Sequence, residues 1–337
     1  MRTTLRALLA LLAVLALAVG LAACGGDDEG QEENTAAEAT PEGGGTPEAG
    51  AVEPIQRDEA NAGKQFTVGS KNFTEQYILG EIYAQSLEAA GFEVEKQLDL
   101  GSEQIAFRGL KRNSINGYPE YTGTALTSFY RVKVDDVPRD KDEAFSQLQE
   151  ELQGDNITAL PQTPFSNPYK VASTKETAEE LGNPRTLSEL AEKAGSDMSI
   201  SGFPECRQRT DCLLGLENVY DWTPKFVSSP GQYNDLDAGQ ADFTFGFATD
   251  GPLATDKYFT YEDDKQLFPP YNVSFLVNEE GMQALGDSGR EVIERVQEPL
   301  TEEVMQELNS RVTLDKQEPE RVARDYLTET GFIESSS

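Results

Sequence analysis

Gln65-Phe66-Thr67-Val68, then Gly69-Ser70-Lys71-Asn72-Phe73, then Thr74 and the run Glu75 to Ala90 decide the fold. The first four residues read as a short strand and the next five as a loop. Thr74 reads as an N-cap, and Ile78, Ile82 and Leu87 recur at helical spacing before a stop at Gly91. Outward from there, Phe92 to Leu98 alternates like a strand, Gln104 to Lys111 reads as a second helix, and Ile115 to Tyr118 as a short strand. This order predicts an α/β fold with a mainly parallel sheet. In such sheets ligands bind where loops leave the C-terminal strand ends. Lys71 and the turn from Tyr118 to Thr124 both lie in such loops.

Two later segments echo each other. Phe165-Ser166-Asn167-Pro168-Tyr169-Lys170-Val171 and Phe268-Pro269-Pro270-Tyr271-Asn272-Val273 both place Pro-Tyr-x-Val after an aromatic residue. Proline makes each segment stiff and extended. The block between them carries its own strand signals (Val171–Ser173, Met198–Ser201, Asp242–Phe247), a helix capped by Thr186 or Ser188, and another near Leu213–Tyr220. A strand at Val273–Val277 and helices through Leu327 follow. The economical reading is an inserted second domain reached by two chain crossings. The expected division is 63–166 with 272–337 as one lobe and 167–271 as the other. Two α/β lobes joined this way enclose a cleft that can hinge. The alternative is two prolines that end strands independently.

The length, 337 residues, suits about two domains. Lys+Arg total 28 against 60 Asp+Glu, a net charge of −32, which argues against a nucleic-acid partner. There is no histidine, which excludes Ser-His-Asp and Cys-His catalysis and His-ligated metals. Three cysteines are too few for a disulfide scaffold. No metal and no cofactor is expected.

Arg2 and Arg6 precede an apolar run, Leu8 to Val19, with the shape of a signal-peptide core. It leads into Leu21-Ala22-Ala23-Cys24, which resembles the lipobox of bacterial lipoproteins, where the cysteine is acylated and becomes the mature N-terminus. An ordinary secretory signal ending in small residues is the alternative. The expected order is a signal peptide over 1–23 and a disordered acidic tether over 24–62. Between Cys24 and Ala60 there are eleven acids and one base, Arg57, with almost no large apolar side chain to bury.

Thr124 offers a hydroxyl and a backbone N–H near a helix start, a natural seat for a carboxylate. Tyr121 sits beside it. Tyr169 and Tyr271 lie at the two crossings, with Asn167 next to the first, and Phe247 ends a strand of the inserted lobe. Singly, each ring is at home in a core. Together at one cleft they would bind a quaternary ammonium, each desolvated face contributing up to ~2 kcal/mol.

Val68-Gly69-Ser70-Lys71-Asn72-Phe73-Thr74-Glu75-Gln76, Tyr118-Pro119-Glu120-Tyr121-Thr122-Gly123-Thr124, and Glu262-Asp263-Asp264-Lys265 running into Phe268-Pro269-Pro270-Tyr271-Asn272 resemble the substrate-binding proteins of osmoprotectant ABC transporters. That family takes up glycine betaine, carnitine and choline, and the likeness spans about 65–335. It implies a two-lobed periplasmic-binding-protein fold (type II) and an aromatic box carried by Tyr121, Tyr169, Phe247 and Tyr271. The family often has Tyr where this chain has Phe247. The resemblance also implies carboxylate ligands at Lys71, Thr124 and an arginine of the second lobe, either Arg209 or Arg207. Cys206 and Cys212 depart from the commonest family pattern. They lie six apart in a chain expected to be exported, with Cys24 taken by lipid, and are expected to form a disulfide that shapes the arginine loop.

The expected function is an extracytoplasmic, lipid-anchored, monomeric receptor on the outer face of the cytoplasmic membrane. It would deliver a quaternary-ammonium osmolyte to a membrane permease and would not be an enzyme. A choline-selective receptor is the first alternative. An exported enzyme acting on a small amine is the second; Asp263-Asp264 would supply its acids, but adjacent residues on a strand point to opposite faces.

Overall fold

The computed structural model describes residues 52–334. The expected signal peptide over 1–23, Cys24 and the first part of the tether lie outside them. Ten strands occur among the described residues: β1 (Gln65–Gly69), β2 (Glu93–Gln97), β3 (Gly117–Tyr121), β4 (Ile157–Ala159), β5 (Tyr169–Thr174), β6 (Ser199–Gly202), β7 (Lys225–Ser228), β8 (Phe243–Phe247), β9 (Tyr258–Tyr261) and β10 (Val273–Asn278). They form two sheets, in the orders β2-β1-β3-β10-β4 and β7-β6-β8-β5-β9.

The two sheets share one plan. In the first, β1 runs parallel to β2 and β3, while β10 is antiparallel to β3 and β4. In the second, β6 runs parallel to β7 and β8, while β5 is antiparallel to β8 and β9. Each sheet therefore has four strands in one direction and one reversed. The reversed strand is the one that arrives from the other lobe. The crossings are zipped together: Thr163 N–H donates to Val273 O (2.8 Å) and Asn167 N–H to Tyr271 O (3.1 Å). The Asn272 side-chain amide donates to Thr163 O and Phe165 O, at 3.1 and 3.0 Å.

Helices cover the sheets because their apolar positions demand it. Phe66 and Val68, two apart on β1, are both fully buried. The helix Thr74–Ala89 has buried residues on nearly every side and is packed against the helices Glu279–Gln297, Glu302–Thr313 and Pro319–Glu329.

Several expectations need correction. Thr74 is not the N-cap: Phe73 holds that position with extended backbone, makes no side-chain cap, and Thr74 is the first helical residue. The strand expected over Ile115 to Tyr118 runs from Gly117 to Tyr121. Pro119 is tolerated inside it because the pairing with β1 is a single residue pair, Val68 with Gly117, so no ladder bond to β1 needs its missing N–H. The tether expected over 24–62 ends sooner. Ile55 N–H donates to Phe332 O (2.8 Å), Asp58 N–H to Ala90 O (3.0 Å), and Asn61 is fully buried. Asp263 and Asp264 lie past the end of β9, where Asp263 accepts from the N–H groups of Leu267 and Phe268, both at 2.8 Å.

Candidate functional site

The chain ends of β1, β3, β6 and β8 and the two crossings meet at one cavity. Lys71, Asn72 and Phe73 follow β1; Tyr121 ends β3 and Thr124 lies one turn on; Phe203 follows β6; Phe247 ends β8. Asn167, Tyr169 and Tyr271 enter from the crossings, and Glu205 and Arg209 from the loop after β6. All eight residues expected from the sequence to bind ligand, Lys71, Tyr121, Thr124, Asn167, Tyr169, Arg209, Phe247 and Tyr271, line this cavity. Gly123 makes the approach of the Thr-Gly-Thr turn possible. Its N–H donates to Pro270 O at 2.9 Å, and a Cβ there would sit 2.7 Å from that oxygen.

The rings form a continuous aromatic surface. Tyr169 lies 5.0 Å from Phe247 and stands nearly perpendicular to Tyr271, 5.9 Å away. Phe73 extends this surface from the first lobe, stacking on Phe247 at 5.6 Å and on Tyr121 at 6.1 Å. Phe203 lies 6.4 Å from both Phe73 and Phe247. Phe73 and Phe203 were not among the expected residues. The available signal was positional: each follows a strand at the cleft, as Lys71 does.

The cations are already held by acids. The Lys71 ammonium is paired with Glu120, fully buried, and sits 4.4 Å from the Tyr121 ring centroid. Arg209 donates from Nε to Asp211 Oδ1 at 2.8 Å and from Nη2 to Oδ2 at 2.5 Å. Its Nη1 is 3.6 Å from Glu103, and Nη2 donates to Thr124 Oγ1 at 3.4 Å, so it spans the lobes. Burial alone would push the Asp211 carboxyl up. The Arg209 charge and the donors Arg209, Tyr271 and Thr127 outweigh it and hold Asp211 below the usual carboxylate range. Burial pushes Glu205 up, and Glu103 adds to the rise. Arg207 lies elsewhere, exposed and 5.0 Å from the Phe226 ring. Cys206 and Cys212 are joined by a disulfide with Cα atoms 5.4 Å apart, which closes the loop carrying Arg209. Among the described residues no group of three or more His, Cys, Asp or Glu is placed to hold a metal ion.

The hydroxyls are not equivalent. Tyr121 donates to Glu75 Oε1 at 2.7 Å and Tyr271 to Asp211 Oδ2 at 2.6 Å. The Tyr169 hydroxyl makes no hydrogen bond within the described residues. Behind Phe247, Asp250 accepts from Phe247 N–H and from the Tyr233 hydroxyl, both at 2.8 Å, and burial pushes its carboxyl up to about 7.

Residues 64–329 match the model of the substrate-binding domain of ABC-type glycine betaine transport systems. A glycine-betaine-binding protein of Pseudomonas aeruginosa is 30% identical over 283 residues, which cover 79% of this chain and 88% of that one. An ergothioneine transport permease/ergothioneine binding protein of Helicobacter pylori is 25% identical; the match covers 80% of this chain but only 48% of that protein. Among solved structures, a glycine betaine/carnitine/choline ABC transporter protein superposes with a TM-score of 0.64 at 23% identity, over 79% of this chain and 99% of that one. That likeness establishes the two-lobed α/β architecture of periplasmic binding proteins. With the family model spanning nearly all the described residues, the chain belongs to the substrate-binding domain family of ABC-type glycine betaine transport systems.

Proposed function

We propose that this protein is an extracytoplasmic receptor that captures a quaternary-ammonium osmolyte, glycine betaine or a close relative, and delivers it to the permease of an ABC transporter. The observation that carries the reading is the convergence of Tyr121, Tyr169, Phe247 and Tyr271 on one cavity that also holds Lys71, Thr124, Asn167 and Arg209. Ring faces suit a trimethylammonium head. Thr124 and the two cations suit a carboxylate tail. The lobes acting as clamps are 63–166 with 272–337, and 167–271. Neither Arg207 nor a metal enters the reading. The protein acts as a monomer without nucleic acid and returns its ligand unchanged, as a receptor and not an enzyme. Its anchor is the acylated Cys24 on the outer face of the cytoplasmic membrane, reached after removal of 1–23. Among the described residues, no helix is long and apolar enough to cross a membrane.

A choline-selective receptor is the second reading. It is favoured by the pairing of Arg209 with Asp211 and Glu103 and of Lys71 with Glu120, which occupies the donors a carboxylate would need. Calorimetry against glycine betaine, choline, carnitine and proline betaine tests both. Tightest binding of a carboxylate-bearing ligand supports the first reading. Choline binding alone supports the second, and no binding of any of the four removes both. Mass spectrometry of the ligand after incubation tests the receptor role, because a chemically altered ligand would refute it.

A further inference from the structure

We propose that Glu75 is the buried counter-charge of the captured cation, acting through the Tyr121 phenol and linking capture to the joining of the two lobes. The inference rests on the reading of Tyr121 as one wall of a cation-binding cage. Glu75 is the second residue of the helix Thr74–Ala89 and is 2% exposed. Its Oε1 accepts from the Tyr121 hydroxyl at 2.7 Å and from Asn167 Nδ2 at 2.9 Å. Its Oε2 accepts from Asn309 Nδ2 at 2.9 Å and from the Thr249 hydroxyl. These donors come from both lobes, one crossing and the helix Glu302–Thr313.

The surroundings are built for a charged carboxylate. Asn167 Oδ1 accepts from Thr249 N–H at 3.1 Å, a group that can only donate. Asn309 Nδ2 also donates to Thr249 O at 2.9 Å, a group that can only accept. Both amide orientations are therefore fixed, and both present NH₂ to Glu75. The two amides are obligate donors and favour the ionised form, whereas the Tyr121 and Thr249 hydroxyls can accept as well as donate and serve either form. Yet no lysine or arginine is paired with Glu75 among the described residues, and burial is the main influence on it, raising its pKa against the four hydrogen bonds. A buried anion with donors but no cation is costly. The Lys71 ammonium beside the Tyr121 ring is already offset by Glu120, so a quaternary ammonium against that ring adds the net positive charge that Glu75 lacks. The carboxylate in turn polarises the phenol O–H and enriches the ring that holds the cation.

The proton linkage follows from reciprocity. The cation favours ionised Glu75, so binding lowers its raised pKa. Between the bound and free values, binding releases part of a proton. Affinity rises with pH through that window and levels off above it. Other charged and titratable groups face the same region: Tyr83 from the same helix, Tyr121 itself, the Lys71–Glu120 pair beside the Tyr121 ring, and Asp250 from the second lobe. Asp250 is the one whose own titration must be separated.

The test is calorimetry of the intact chain with choline chloride from pH 5 to 8, in paired buffers of different ionisation enthalpy. Wild type should release protons on binding, with affinity rising with pH. Glu75→Gln should bind choline about ten-fold more weakly and release none. Tyr121→Phe keeps the ring, severs the hydroxyl link, and should lower both affinity and release. Asp250→Asn should keep the release. Wild-type affinity in Glu75→Gln, or release that survives there and vanishes only in Asp250→Asn, overturns the proposal. If Glu75→Gln does not fold, a flat pH profile in wild type overturns it equally. Binding of choline that ignores pH removes this proposal alone. No binding of any quaternary ammonium removes the receptor reading and this proposal together.

Discussion

Tyr271 and Tyr169 offer a matched pair of perturbations. Both rings line the cavity and both are nearly buried, at 2% and 8% exposure. Only Tyr271 uses its hydroxyl, donating at 2.6 Å to Asp211 Oδ2, a carboxylate that is 1% exposed. A hydrogen bond to a charged group is worth about 1.5–3 kcal/mol, and a buried acceptor that loses its donor bears the cost of its own desolvation. Asp211 keeps Arg209 and Thr127, so the loss in Tyr271→Phe should fall within that range. Tyr169→Phe removes no hydrogen bond and should cost less than about 0.5 kcal/mol. Urea denaturation of the unliganded proteins, fitted with a common slope, measures the difference. Equal unfolding free energies for the two variants, or a larger loss in Tyr169→Phe, would refute the assignment of the Asp211 contact as the one that matters.

Other outcomes are equally definite. The Asp250 carboxyl is raised from 3.8 to about 7, so the folded protein holds a proton there that the unfolded chain has lost; stability should fall as pH rises from about 4 to about 7. Asp250→Asn, whose amide oxygen can accept from both Phe247 N–H and Tyr233, should flatten that slope in denaturation series run across this range. Lys71→Met leaves Glu120 buried and unpaired and should destabilise by about 3–5 kcal/mol, whereas adding Glu120→Gln should recover much of the loss in a double-mutant cycle. Cys206→Ser with Cys212→Ser opens a short loop; thermal melting should report a loss of roughly 2 kcal/mol, and glycine betaine titration a weaker complex because Arg209, the proposed carboxylate ligand, is freed. Cys24→Ser should leave the protein in the medium or unprocessed by membrane fractionation, and acylated, membrane-bound product would disprove the lipid anchor.

The alternation of strand and helix was readable because each element is local: the apolar spacing of Ile78, Ile82 and Leu87 requires no partner to be seen. The cavity residues were readable for a different reason, since strand ends and crossings are topological positions that survive without coordinates. The Glu75 cluster was not readable. Its partners Tyr121, Asn167, Thr249 and Asn309 stand 46, 92, 174 and 234 positions away, and no local period connects them. The pairing of Arg209 with Glu103 across the lobes was hidden for the same reason, although Asp211, two residues on, was in plain view. Thr74 failed as a cap because a helix start is fixed by backbone angles, and at Phe73 those angles are extended without any help from a side chain.

The reversed strand β10 governs the order in which the molecule can assemble. It lies between β3 and β4, and Ser274 Oγ donates to Leu160 O across 114 positions of chain. A polypeptide emerging N-terminus first therefore makes β3 and β4 long before the strand that joins them. Until residue 278 is available, β3 presents an open seam, while the second sheet, complete by Tyr261, already has all its members. Such a late, distant closure slows folding and leaves an unpaired edge on view. The lobe that begins first in the sequence is the one that finishes last, and cutting the chain at either crossing should yield no fragment able to complete the first sheet.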